Sequence, residues 1–331
     1  MNISLSTAEH ECIVNQLAHA YGVTRTQLHP LTDNPDDGVY GFTRQRHDFV
    51  VKYTLQAART FSTLQGQVDW VNFLAVHGAP VSRPVPSLRG AFVEQLPIND
   101  TTVSVVCYEH VPGDRPEGTI LTADLFQTWG QVMGKIHALS TRYTPAQQHW
   151  HIRAWYEGAT RDTRTIPADQ TLVHEKCDAL LRSVHALPNN QQVYGLIHGD
   201  FQANNLHVSN GVLWVFDFDD CEYNWFVSDI ATALYFTLWE PHPECSNAAF
   251  AAFVLENMLA GYAHERSIGA DWNEQIPLFL KLQEMSIYTA ITAYNRETLP
   301  LKHQALLRRY RHNIEHDIPY IESAYCPWAS D

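Results

Sequence analysis

The sequence predicts an α+β protein of two lobes, a small β-rich N-terminal lobe and a larger helical C-terminal lobe. Three observations lead there. Short alternating apolar runs, broken by turn residues, crowd the first 110 positions. From Thr122 onward apolar residues recur instead at spacings of three and four. Between the two lies a short connector that runs into Val111-Pro112-Gly113. At 331 residues the chain is long enough for one large domain or two lobes. Its 45% hydrophobic and 18% charged residues are an ordinary globular composition.

Taken in order, Ser6–Tyr21 reads as a helix. Ser6 and Glu9 form a capping box, Ile13, Leu17 and Tyr21 make an apolar stripe, and Gly22 stops it. Three β-like runs follow, Thr26–Leu31, Val39–Arg44 and Asp48–Thr54, separated by turn residues such as Asn34-Pro35-Asp36-Asp37-Gly38. Leu64, Val68, Val71, Leu74 and Ala75 give a helical stripe ending at Gly78. Strands at Gly90–Gln95 and Val103–His110 complete a small antiparallel sheet with one helix packed on it. In the second lobe Leu125, Trp129, Val132, Ile136 and Leu139 mark a helix. Further helices are expected over Thr171–Leu187, Ser228–Trp239, Asn247–Ser267, Asn273–Tyr294 and Leu301–Ala324. The expected division is 1–106 for the N-lobe, 107–113 for a hinge and 114–331 for the helical lobe.

A formal net charge of −14 argues against nucleic acid as the main partner. The charge is uneven: residues 1–112 hold 10 acids and 7 bases, residues 113–331 hold 26 acids and 15 bases. The later excess suits a cationic substrate, and equally a solvated acidic surface. Six cysteines (Cys12, Cys107, Cys177, Cys221, Cys245, Cys326) form no CxxC pair, so free buried thiols in a reducing compartment are expected. The N-terminus shows no basic-then-apolar leader, and no apolar run reaches ~18 residues. The expectation is a cytoplasmic protein with no membrane partner.

The densest stretch is Leu196–Asp229, LIHGDFQANNLHVSNGVLWVFDFDDCEYNWFVSD. Asp200 follows a His-Gly pair at the end of an apolar run, and Asn205 lies five residues later. A second apolar run, Val212–Phe216, delivers Asp217 at its end. That order suits kinase-type phosphotransfer: one carboxylate receives the acceptor hydroxyl, then an amide and a carboxylate hold Mg²⁺ on the ATP phosphates. His198 is expected as a buried hydrogen-bonding scaffold, Gly199 as a tight turn and Asn204 as a local turn residue. If the strand continues, FDFDD puts Asp217 and Asp219 on one side. Asp219 is then a candidate second metal contact, with a turn or solvent role as the alternative. Asp220 is expected to be solvated.

On these residues the chain resembles the aminoglycoside phosphotransferase superfamily, whose relatives include choline kinase, type II homoserine kinase and a bacterial stress-response kinase. The resemblance covers nearly the whole chain and is strongest at 196–231. It implies a protein-kinase-like fold, with ATP and Mg²⁺ as cofactors. It implies Asp200 as the catalytic aspartate, Asn205 and Asp217 as Mg²⁺ ligands, and Asp229 as a structural brace of the catalytic loop. Lys52, ending FVVK, matches the strand lysine that neutralises ATP phosphates. Cys107–Val111 matches the adenine-binding hinge, which makes Tyr108, Glu109 and Val111 nucleotide-binding candidates through backbone groups.

Two departures stand out. Gln67 occupies the place of the family's usual helix Glu, which positions the lysine; it accepts a hydrogen bond but supplies no charge. Asp69 faces another side of that helix. There is also no GxGxxG loop. Gly38-Val39-Tyr40-Gly41 is a thin substitute, and phosphate contact is expected from backbone amides near 34–39, Gly38 among them.

Only 11 residues separate Asp217 from Asp229, which leaves no room for the long activation segment of a protein kinase. Gly199, not Arg, precedes Asp200. The expected enzyme moves the γ-phosphate of ATP to a hydroxyl of a small molecule: an amino alcohol, a hydroxy amino acid or an aminoglycoside-like acceptor. Trp225, Tyr235, Trp239, Glu240, Glu284 and Tyr288 are candidates for a pocket that would suit a cationic acceptor. Three alternatives stay open. The DxDD run also fits a stress-response protein Ser/Thr kinase. Gln67 and the thin phosphate loop fit a catalytically silent nucleotide-binding regulator. His198, Asp200 and Asp217 fit a metal-dependent hydrolase.

Overall fold

The computed structural model describes residues 6–32, 38–55, 60–99, 101–117, 121–158, 161–239, 245–269, 271–293 and 299–323. The chain forms two compact units, one of residues 1–113, 143–152 and 214–217, the other of 114–142, 153–213 and 218–331.

In the first unit, helix α1 (Thr7–Tyr21) starts on the expected capping box, with Ser6 and Glu9 each accepting the other's backbone N–H. Five strands follow: β1 (His29–Pro30), β2 (Val39–Arg44), β3 (His47–Leu55), β4 (Val93–Ile98) and β5 (Thr101–Glu109). Helix α2 (Phe61–Val76) lies between β3 and β4 in the chain. The strands form one antiparallel sheet in the order β1-β2-β3-β5-β4. The period of two in the strands decides what each face buries. Phe49, Val51 and Tyr53 of β3 and Val103, Val105 and Cys107 of β5 pack with Ile13, Val14, Leu17 and Tyr21 of α1. Val93 and Val106 pack with Leu64 and Val68 of α2. The sheet is therefore covered on both faces, not by one helix as expected, because the α1 stripe needs an apolar partner.

Two strand expectations move. Thr26–Leu31 is a 3₁₀ turn at Arg25–Gln27 followed by the two-residue β1. Thr24 N donates to Gln27 Oε1, and this local bond favours the turn. Gly90–Gln95 begins as a strand only at Val93, since Gly90 sits at φ 81° in a turn with its N–H on Ser87 O. The expected phosphate-contact residues 34–37 lie outside the described residues.

The second unit is mostly helical: α3 (Ala123–Ser140), α4 (Thr171–His185), α5 (Val227–Thr237), α6 (Asn247–Tyr262), α7 (Trp272–Thr292), α8 (Leu301–Glu315) and α9 (Tyr320–Ser323). It holds β6 (Tyr194–Ile197), β7 (Leu206–Ser209) and β9 (Glu222–Trp225). Strand β8 (Val212–Val215) follows β7 through Asn210-Gly211, both with positive φ as a tight hairpin turn requires. β6 pairs antiparallel with β9, Ile197 opposite Glu222. The expected single helix Leu301–Ala324 is two. Asp317 adopts φ 54°, Ile318 N closes onto Asn313 O, and Pro319 cannot continue the α8 ladder. Tyr294 and Ala324 lie outside the described residues.

No helix among the described residues is long and apolar enough to cross a membrane. Five cysteines among them are free; Cys107, Cys177 and Cys221 are buried, while Cys12 and Cys245 are exposed, so the expected burial holds for three of the five. Cys326 lies outside the described residues.

Candidate active site

The His198-Gly199-Asp200 loop leaves β6 and is held from within the second unit. Asp229, in the first turn of α5, is fully buried. Its Oδ2 accepts the N–H of His198 and its Oδ1 the N–H of Gly199, both at 2.9 Å. His137 Nε2 lies 3.1 Å from the same Oδ2. Burial pushes the His137 imidazole below its ordinary value although Asp229 opposes the shift, so a neutral ring donates to the carboxylate. Gly199 has φ 83°, and a Cβ there would overlap the Asp220 carbonyl oxygen, so both conformation and space require glycine. His198 is buried between the Phe201 and Phe218 rings, and its Nδ1 accepts the Asp200 N–H at 3.2 Å.

The Asp200 carboxylate is aimed by two amides. Asn205 Nδ2 donates to Asp200 Oδ2 at 2.8 Å and to its backbone oxygen at 2.9 Å. Gln202 Nε2 donates to both carboxylate oxygens, at 2.8 and 3.0 Å. Burial raises the Asp200 carboxyl above its ordinary value, against the Gln202 bond, the nearby His198 and the Asn205 bond. A carboxylate so placed can orient a hydroxyl and take its proton. Both atoms that Asn205 faces are acceptors, so its NH₂ points inward and its carbonyl oxygen is left for another partner. Gln202 was absent from the sequence-based candidates. Its signal is an amide two residues beyond a loop carboxylate, a spacing shared with many ordinary turns.

In the first unit, Lys52 and Asp217 meet: Nζ to Oδ1 is 3.1 Å, with side chains 24% and 42% exposed. Lys52 stands opposite Val106 in the β3–β5 ladder, on the sheet face that α2 covers. Gln67 is buried on α2. Asp217 reaches its place because Val215 is stitched to a neighbouring segment: its N–H donates to Pro80 O and its carbonyl accepts from Ser82 N, both at 2.9 Å. Asp69 faces elsewhere, accepting from Tyr143 Oη and Ala146 N. Gly38 has φ 71°, and its carbonyl accepts the Tyr53 N–H at 2.9 Å. At the connector, Glu109 N donates to Arg83 O and Glu109 O accepts from Ser82 Oγ. Tyr108 pairs with Pro84, and Val111 is buried.

Several expectations need correction. The strand does not continue through FDFDD: Asp217 takes φ 60° and Phe218–Asp220 is a 3₁₀ turn. The same-side argument for Asp219 therefore fails. Asp220 is exposed, as expected, but it is also ion-paired, with Arg153 Nη2 2.9 Å from Oδ1. The acceptor-pocket candidates Trp225, Tyr235, Glu284 and Tyr288 belong to the core. Glu284 is engaged by Lys281 and Asn313, and Tyr288 donates to Gln170. Trp239 is partly buried, and Glu240 lies outside the described residues. Among the described residues, no group of three or more His, Cys, Asp and Glu side chains gathers as a protein-only metal site would.

Comparisons with known proteins add four findings. Residues 35–272 match the model of the phosphotransferase enzyme family, APH. Amicoumacin kinase of Bacillus subtilis (strain 168) is 31% identical over 313 residues, 93% of each chain. The solved structure of amicoumacin kinase hAmiN, in complex with AMP-PNP, Ca²⁺ and Ami, superposes with a TM-score of 0.89 at 32% identity, covering 93% of this chain and 94% of that one. A microcompartment-associated aminopropanol kinase shares the fold, with a TM-score of 0.74 at 24% identity, covering 95% of this chain and 98% of that one.

Proposed function

The chain belongs to the phosphotransferase enzyme family and is a small-molecule kinase of protein-kinase-like fold, and on that premise we propose that it moves the γ-phosphate of ATP to a hydroxyl of a small molecule of the amicoumacin type. The observation that carries the chemistry is the aimed Asp200 carboxylate, bonded by Gln202 and Asn205 on a loop pinned by buried Asp229. In this reading Asp200 orients the acceptor hydroxyl and takes its proton as the phosphoryl group transfers. Lys52 neutralises phosphate charge, with Gln67 behind it on α2. Backbone groups of Tyr108, Glu109 and Val111 bind the adenine, and Gly38 lies near the phosphates.

The donor set fits Mg²⁺. Asn205 offers a carbonyl oxygen and Asp217 an exposed carboxylate, the few hard ligands that this ion takes while sharing its shell with phosphates and water. When bound, the ion would neutralise charge developing on the phosphates. Asp219 is a weaker candidate without its strand argument. The free cysteines support a reducing, cytoplasmic setting.

The 11 residues between Asp217 and Asp229 support a small acceptor, since the 3₁₀ turn, β9 and the start of α5 occupy nearly all of them. A coupled ADP-release assay over amicoumacin, amino alcohols, aminoglycosides and hydroxy amino acids tests the proposal. Turnover with amicoumacin above the ATP-only rate is expected. ADP release that ignores every acceptor, or label appearing on protein instead, overturns it.

A further inference from the structure

Behind the His198–Asp200 loop stands a charge network with no part in the site so far. Glu222 of β9 is buried and stands opposite Ile197, the residue before His198. Two guanidinium groups reach it: Arg153 Nε lies 3.4 Å from Oε2 and Arg161 Nη2 lies 3.9 Å from Oε1. Asn224 Nδ2 also donates to Oε1 at 2.8 Å, and Arg161 Nη1 donates to Ser286 Oγ on α7. Arg153 then turns its Nη2 to Asp220, bonding the carbonyl oxygen at 3.2 Å and the carboxylate at 2.9 Å. The backbone of Arg153 is anchored too, since its carbonyl accepts the Tyr223 N–H at 2.9 Å.

The Asp220 carbonyl oxygen is the atom that a side chain at Gly199 would strike. It therefore abuts the residue directly before Asp200. A network of this kind is a poor source of stability, because taking charges out of water costs about what their pairing returns. Burial pushes Glu222 up and Arg161 down against the pull of their partners, which marks that cost. Apolar side chains of equal volume would fill the space as well. What they could not supply is a directional hold on one carbonyl oxygen.

We propose that Arg153 is a positioning residue for phosphoryl transfer: by holding the Asp220 carbonyl against Gly199, it sets where Asp200 presents its carboxylate. This rests on Asp200 acting as the base. Arg153 touches no reacting atom; it acts through Asp220 and Gly199. The contact is geometric, and a shift of about 1 Å at a base is enough to cost ~10²-fold in rate.

Steady-state kinetics on the full chain, with Mg·ATP and amicoumacin as the probe, test this. Arg153→Ala should lower kcat about tenfold or more while KM for ATP and for amicoumacin stays within about twofold. Arg153→Lys keeps a donor and should recover part of the loss. Arg164→Ala, which removes an exposed pair with Asp162, is the control expected to match wild type. Should Arg153→Ala not fold, Arg153→Lys and Arg153→Gln carry the test, with thermal midpoints recorded beside kcat. Wild-type kcat in Arg153→Ala, or in Arg153→Gln where the alanine variant does not fold, overturns the proposal. So does a raised KM for amicoumacin at unchanged kcat, which would make Arg153 an acceptor contact. A wild-type enzyme inactive toward every acceptor refutes the functional reading itself, whereas an active wild type with an indifferent Arg153 refutes this inference alone.

Discussion

The loop carrying Asp200 and the Lys52–Asp217 pair hold their charges in opposite ways. The loop is over-determined. Asp229 bonds two successive backbone N–H groups, the His198 ring accepts a third, and two amides grip the Asp200 carboxylate. Lys52 and Asp217 share a 3.1 Å contact between partly exposed side chains. Under the proposed function, the difference follows from what each would do. A base has to meet a proton at one place, so its geometry is built before substrate arrives. Groups that bind a nucleotide and its cation must let go of each other when the ligand enters, and a solvent-screened ion pair costs little to break.

Substitutions can break this contrast. Asp200→Ala should cut turnover by about 10²–10⁴-fold while Mg·ATP affinity is retained, as read by kinetics beside nucleotide titration. Unchanged turnover would remove Asp200 from its role. Asp229→Ala should come next, with a loss of about 3 kcal/mol in chemical denaturation, because it strands buried donors on His198, Gly199 and His137. A melting curve like that of wild type would show that the loop needs no brace. Lys52→Ala and Asp217→Ala should leave stability within about 1 kcal/mol. Each should still weaken Mg·ATP about tenfold, the worth of one charge-assisted bond. Wild-type nucleotide affinity in Asp217→Ala would contradict the metal assignment.

The smallest expected effect depends on pH. The folded value of His137 lies below its ordinary 6.5. The unfolded chain therefore binds more protons just below that pH, and stability drains away as pH falls from about 6.5. Above it, His137 contributes no slope. Denaturation midpoints at pH 7.5 and 5.5 should differ in the wild type and converge in His137→Gln. An equal slope in both would place the acid sensitivity elsewhere.

How much was legible depended on how local the cause was. The capping box of α1, the boundaries of β2 and the stripe of α2 follow from neighbours within one or two turns, and they are read directly. Asp200, Asn205 and Asp217 stand out as candidates for the same reason: their spacing along the chain is the signal. The tight turn at Gly199 was readable too, but its cause was not, because the atom that forbids a side chain there lies 21 residues away at Asp220. Trp225, Tyr235, Glu284 and Tyr288, acceptor candidates chosen by residue type, went to the core, since an aromatic or an acid carries no mark of which way it faces. The strand expected through FDFDD failed at Asp217, where one left-handed residue outweighed an apolar run.

The helix stripes, the sheet strands β2, β3 and β5 and the identity of the charged groups in the 196–229 stretch were determined by sequence alone, because periodicity and spacing act over a few residues. Tertiary structure decided which partner each group has: Asp229 under the loop, Arg153 on Asp220, Val215 stitched to Pro80 and Ser82. Those pairings join residues far apart in the chain. Only packing brings such residues within hydrogen-bond reach, and a bond of that length is lost if either side moves by an ångström.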